Sequence, residues 1–95
     1  MNCIKVKVKF MSPYFQALTG VEEEEITIKD GTTVKDLLKK ISVIHDHKLY
    51  EQLLEEETTL KNGVLIIING KVIQDVNSKL RDGDIIIITI AHGGG

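Results

Sequence analysis

Apolar and polar residues alternate from the start of the chain. Ile4, Val6, Val8 and Phe10 are separated by Lys5, Lys7 and Lys9. Successive side chains of a strand point to opposite faces, so this period of two predicts a strand with one buried face and one lysine-bearing face in water. Residues 24–29 repeat the pattern, with Ile26 and Ile28 alternating with Glu25 and Thr27. The acidic run Glu22, Glu23, Glu24, Glu25 that leads into them reads as a solvated strand start that also protects a sheet edge. Between the two strands, residues 11–20 read as a loop around Pro13, packed down by Phe15 and Leu18.

The period then changes. Val34, Leu37, Leu38, Ile41 and Ile44 recur at helical spacing, with Lys35, Asp36, Lys39 and Lys40 on the other face. This predicts an amphipathic helix over 33–44, about three turns long. Asp30-Gly31 supplies a turn before it, and Thr33 three residues ahead of Asp36 forms a variant of the capping box. Leu49, Tyr50, Leu53 and Leu54 predict a second short helix, and Glu55, Glu56 and Glu57 its solvated end. Residues 64–68 are a strand. Asn69-Gly70 is a favoured pair for a two-residue hairpin, whose central residues both need positive φ, and Lys71-Val72-Ile73 is the short returning strand. Asp82-Gly83-Asp84 is a further turn before the last strand, residues 85–90.

This order predicts an α+β domain: a mixed sheet with one main helix across one face, and the long first and last strands adjacent at its centre. That is the ubiquitin-like β-grasp arrangement. We expect one folded domain over residues 1–90 and a flexible glycine tail over 91–95, Ala91-His92-Gly93-Gly94-Gly95.

One face of a sheet in water should alternate, and the last strand does not. Ile85, Ile86, Ile87, Ile88 and Ile90 place isoleucine on both faces, and residues 64–68 share the property. A single helix covers one face only. The other face is therefore either covered by the first loop or the second short helix, or free to dock a partner just upstream of the tail, and docking is the expectation, with Ile86, Ile88, Ile90 and His92 as the partner-binding candidates.

Composition narrows the function. A net charge of −2 with 27% charged residues gives no clustered basic footprint for nucleic acid. The longest apolar runs are too short to span a membrane, and no secretory signal is read at the N-terminus, so a cytoplasmic location is expected. Cys3, the one cysteine, falls on the lysine side of the first strand with no base near it in sequence, and reads as a residue without chemistry. His45-Asp46-His47 has no cysteine or further histidine nearby to complete a ligand set, so no metal site is expected.

The residues also resemble a family. Leu80-Arg81-Asp82-Gly83-Asp84, then an apolar strand, then an ending in Gly94-Gly95, resembles the ubiquitin-like sulfur carriers of the MoaD and ThiS type. Tyr14-Phe15-Gln16-Ala17-Leu18-Thr19-Gly20 resembles the first loop of the MoaD type, Thr33-Val34-Lys35-Asp36-Leu37-Leu38 its helix start, and residues 64–70 the strand and turn that follow. The MoaD type, the small subunit of molybdopterin synthase, is the closer likeness. Two features depart from it: Ala91-His92 stands where prolines are common, and Gly93 makes the ending a triple glycine.

The resemblance implies a function for the tail. The Gly95 carboxylate would be adenylated by an E1-like enzyme that uses ATP, thiocarboxylated from a sulfur donor protein, and presented to the molybdopterin synthase large subunit. No cofactor bound to this chain is implied, and the catalytic groups belong to the partners. Glycines 93–95 suit the task because a backbone without Cβ can thread a narrow channel. Extended residues span about 3.3–3.6 Å each, so residues 91–95 could reach roughly 17 Å. His92 reads as a tail residue rather than a proton shuttle. Alternatives are sulfur supply for thiazole synthesis or tRNA thiolation, a protein modifier joined through Gly95, and a plain β-grasp interaction module.

Overall fold

A computed structural model of the chain describes residues 2–56 and 59–91. Strand β1 (Cys3–Phe10) is followed by helix α1 (Pro13–Thr19), β2 (Glu23–Lys29), α2 (Val34–Ile44) and α3 (His47–Leu53). The short strands β3 (Leu54–Glu55) and β4 (Thr59–Leu60) come next, then β5 (Val64–Ile68), β6 (Lys71–Ile73) and β7 (Ile85–Ile90). Five strands form one sheet in the order β2-β1-β7-β5-β6, and β3 pairs with β4 in a small second sheet. β1 and β7 are parallel neighbours at the centre, with antiparallel partners on either side. This is a ubiquitin-like β-grasp fold, as expected from the pattern. Among the described residues, no helix is long and apolar enough to cross a membrane.

Strand parity decides what is buried. Ile4, Val6, Val8 and Phe10 of β1, Ile26 and Ile28 of β2, Ile66 of β5, and Ile86 and Ile88 of β7 are all in the core. Val34, Leu37, Leu38 and Ile41 of α2 pack onto them, joined by Leu49 and Leu53 of α3 and Phe15 of α1. Ile44, in the last turn of α2, is instead exposed.

The start of α2 is fully accounted for. Four N–H groups at a helix N-terminus lack partners within the helix. Here Val34 N–H donates to Ser78 O (3.0 Å) and Lys35 N–H to Val76 O (2.8 Å), and the first helical bond runs from Leu37 N–H to Thr33 O (3.0 Å). Asp36 N–H donates to Thr33 Oγ1 (3.2 Å), and the Asp36 carboxylate reaches back to Thr33 N–H to complete the capping box. The loop before β7 thus holds the helix start, while its own Val76 and Leu80 enter the core.

Residues 11–20 differ from the loop expected. Ser12 caps α1, its Oγ accepting from Tyr14 N–H, and Pro13 occupies the first turn. Proline there fixes a helical φ and withholds an N–H that would have no partner anyway, so it starts the helix instead of breaking it. Gly20 closes α1, its N–H donating to Gln16 O (2.7 Å). The β3–β4 pair was likewise not anticipated, since two-residue strands leave no period to read.

His45 caps the other end of α2. Its Nε2 donates to Glu24 Oε2 at 2.6 Å, and its ring meets Phe10 edge-on. Lys40 Nζ donates to Thr27 O (2.8 Å), so a helix side chain covers one carbonyl of the β2 edge.

Two substitutions separate the cap from the core. Thr33→Ala removes one acceptor and is expected to cost about 1 kcal/mol. Leu38→Ala opens a cavity at a fully buried position and is expected to cost about 2–5 kcal/mol. Urea unfolding measures both, and an equal loss for the two variants would contradict this packing.

Candidate functional site

The sheet has two chemically different faces. Register places Leu65 opposite Thr89, Ile67 opposite both Ile87 and Val72, and Ile85 beside Lys7. These residues alternate with the core set, so they lie on the face away from α2. Ile85 and Val72 are exposed, at 40% and 55%, and Leu65, Ile67 and Ile87 are half-buried. None of the five belongs to the core or packs against it. An apolar patch therefore spans β5, β6 and β7 on the outer face.

A charged strip borders the patch on the β1 side. Lys5, Lys7 and Lys9 share that face with Glu23 and Glu25 of β2. Lys5 and Glu25 are 3.9 Å apart and Lys7 and Glu23 3.7 Å, all well exposed. Exposed pairs of this kind add little stability, so the strip serves to keep one half of the face wet. Cys3 is exposed at the start of β1.

The turn before β7 is held by a buried carboxylate. Asp84 is 8% exposed, with Oδ1 accepting from Asn69 Nδ2 (2.8 Å) and Oδ2 from Arg81 N–H (2.8 Å). Asn69 in turn accepts Ile85 N–H through Oδ1 (3.0 Å). Asn69 and Gly70 both have positive φ, as a two-residue hairpin of this kind requires. Asp82 Oδ1 accepts Lys5 N–H (2.8 Å), and Gly83 N–H donates to Lys5 O (2.8 Å). The Asp82-Gly83-Asp84 segment thus fastens β7 to β1 and to the β5–β6 hairpin.

The predicted site residues divide accordingly. Ile86 and Ile88 are fully buried under α2, and Ile90 is half-buried and packed against the core. Their even-numbered parity points them inward, which moves the docking expectation from Ile86, Ile88 and Ile90 to Ile85 and Ile87, with Leu65, Ile67 and Val72 beside them. Non-alternation in residues 85–90 showed that both faces are apolar, but not which parity faces the helix. His92, Gly93, Gly94 and Gly95, and the expected mobility of the tail, lie outside the described residues. The chain enters the tail from Ala91, whose N–H donates to Gly63 O at 2.6 Å.

Parity gives a direct test. Ile85→Lys should leave urea stability within about 0.5 kcal/mol of the unsubstituted protein. Ile86→Lys buries an unpaired ammonium and should lower it by several kcal/mol, to the order of 3 or more. The opposite ranking would reverse the two faces.

Comparison with known proteins places this geometry. The ThiS family profile matches residues 8–95. A Pyrococcus furiosus protein, provisionally named molybdopterin converting factor, subunit 1, has 34% identity and a TM-score of 0.76, over 93% of this chain and 98% of its own. The Haloferax volcanii protein HVO 2177 has 23% identity and a TM-score of 0.82, over 98% and 88%. Small archaeal modifier protein 1 from Methanosarcina acetivorans has 23% identity and a TM-score of 0.74, over the full length of both chains. No curated protein matches the sequence. With its outer apolar face, its β-grasp core and a family match that runs into the glycine tail, the chain belongs to the ThiS family and has the fold of the ubiquitin-like sulfur carriers of the ThiS and MoaD type.

Proposed function

We propose that this chain carries sulfur on the carboxylate of Gly95 for molybdopterin biosynthesis. The observation that carries the reading is family membership through residue 95, together with the likeness to the Pyrococcus furiosus molybdopterin converting factor subunit. Family membership supports the carrier class, and the Pyrococcus furiosus likeness supports the molybdopterin pathway within it. In this reading the protein works in the cytoplasm.

The chemistry follows from the weakness of a carboxylate as an acyl donor. An E1-like adenylating enzyme joins the Gly95 carboxylate to the α-phosphate of ATP and releases pyrophosphate. The terminal sulfur of a donor protein's persulfide attacks the acyl carbon, and AMP leaves. A thiol then cleaves the resulting acyl disulfide and frees the thiocarboxylate. The molybdopterin synthase large subunit takes the tail into its active site, where the sulfur passes to the pterin precursor. The outer face of β5, β6 and β7 docks these partners in turn. Leu65, Ile67, Val72, Ile85 and Ile87 supply the apolar centre, and Lys5, Lys7 and Lys9 the charged rim.

A second reading shares the first step. The likeness to small archaeal modifier protein 1 supports a protein modifier, in which a lysine amine displaces AMP and forms an isopeptide bond through Gly95.

Intact mass distinguishes the readings. Incubation with ATP, the adenylating enzyme, a persulfide donor and a thiol is expected to exchange one oxygen for sulfur in the full-length protein. Deleting Gly94 and Gly95 is expected to abolish that shift and leave the unfolding midpoint unchanged. Conjugates with other proteins in place of the sulfur shift would favour the modifier, and the absence of both products would overturn the carrier reading.

A further inference from the structure

The root of the tail is tied to the core by a relay of backbone hydrogen bonds. Lys61 N–H donates to Leu53 O (2.9 Å) at the end of α3, where Leu53 is fully buried. Val64 N–H donates to Lys61 O (3.0 Å), which closes a four-residue turn over residues 61–64. Ala91 N–H then donates to Gly63 O (2.6 Å), one rung beyond the last paired residues of β5 and β7, Val64 and Ile90.

The turn demands glycine at its third position. Gly63 has φ +91°, which side-chain-bearing residues rarely adopt. A positive φ there, with the 61–64 bond closed, is the type II arrangement. It aims the Gly63 carbonyl at the β7 edge, where Ala91 meets it. A Cβ at Gly63 would also lie 3.9 Å from Ala91 O and from Ile90 Cγ2, so the turn and the tail root pack side by side.

We infer that Gly63 and Ala91 are positioning residues for the tail. Their hydrogen bond fixes where the chain leaves the sheet and in which direction, so that Gly95 begins its reach from a set point beside the docking face. Four residues beyond Ala91 extend at most about 14 Å. Over so short a span, a displaced root shifts the region the terminal carboxylate can reach, and misplacement of about 1 Å can slow a reaction a hundredfold. Docking itself is untouched, because the outer-face residues lie on strands held independently of this bond. The inference rests on the carrier reading for its consequence, but the bond itself is measurable without it.

The test uses the full 95-residue chain as unsubstituted protein, Gly63→Ala, Ala91→Pro and Ala91→Gly. Gly63→Ala strains the turn, Ala91→Pro deletes the donor, and Ala91→Gly retains it. Amide exchange by NMR reads the bond: the Ala91 amide is expected to be protected in the unsubstituted protein and to lose protection in Gly63→Ala. Adenylation is followed by pyrophosphate release with the E1-like enzyme. In Gly63→Ala and Ala91→Pro, kcat is expected to fall about tenfold or more with KM unchanged, while Ala91→Gly stays near the unsubstituted rate. A folding defect would instead reduce the active fraction and appear in the unfolding midpoint, which is recorded for each variant.

An unprotected Ala91 amide in the unsubstituted protein overturns the inference. So does an unchanged kcat in both Gly63→Ala and Ala91→Pro, or a rise in KM alone. If the unsubstituted protein releases no pyrophosphate, the carrier reading falls, and the exchange result alone decides whether the root is fixed.

Discussion

The parallel pairing of β1 with β7 is the contact on which the rest of the molecule depends. It brings the first and last strands of the chain to the middle of one sheet, with β2 on one flank and β5 on the other. β7 then has both backbone edges engaged, so the strand leading into the tail is anchored on either side. The same pairing sets Val8 beside Ile86 and Phe10 beside Ile88, which gives α2 a continuous apolar floor. Non-local pairing of this kind closes a long loop, and its entropy is recovered only through that shared core.

From this pairing follows a division of labour between the two faces. The inner face is spent on the helices, with its centre fully buried and Val64, Ile68 and Ile90 half-buried at its margin. The outer face carries aliphatic side chains on β5, β6 and β7 and charged ones on β1 and β2, and among the described residues no helix covers its apolar half. The tail leaves from the border of that half. Under the proposed carrier function, this separation lets partners grip the domain and take up the terminus together while the core stays closed.

Much of this was legible in the sequence, for a physical reason in each case. The alternation in residues 4–10 revealed an inward face because lysines cannot be buried there, and Thr33 with Asp36 revealed the start of α2 because capping is a local geometry. Asn69-Gly70 revealed its hairpin because few other pairs tolerate two positive φ values. Helix α1 was hidden because Pro13 marks starts and breaks alike, and only Ser12 before it and Gly20 after it distinguish the two. The docking parity was hidden because isoleucine at 85, 86, 87 and 88 carries no sign of direction, and only the sheet register supplies one. The bond from Ala91 to Gly63 joins residues far apart in sequence through backbone atoms, and composition leaves no trace of such a contact.

Isoleucine methyl NMR tests the central claim, that the outer face docks the enzyme which works on the tail. Ile67, Ile85 and Ile87 sit on that face, and Ile44 is an exposed isoleucine on the helix α2, across the sheet. On titration of the full-length protein with its adenylating enzyme, the methyl signals of Ile67, Ile85 and Ile87 are expected to shift or broaden, with Ile44 unmoved. Perturbation of Ile44 with the other three unchanged would place the docking surface on the helices and contradict the account.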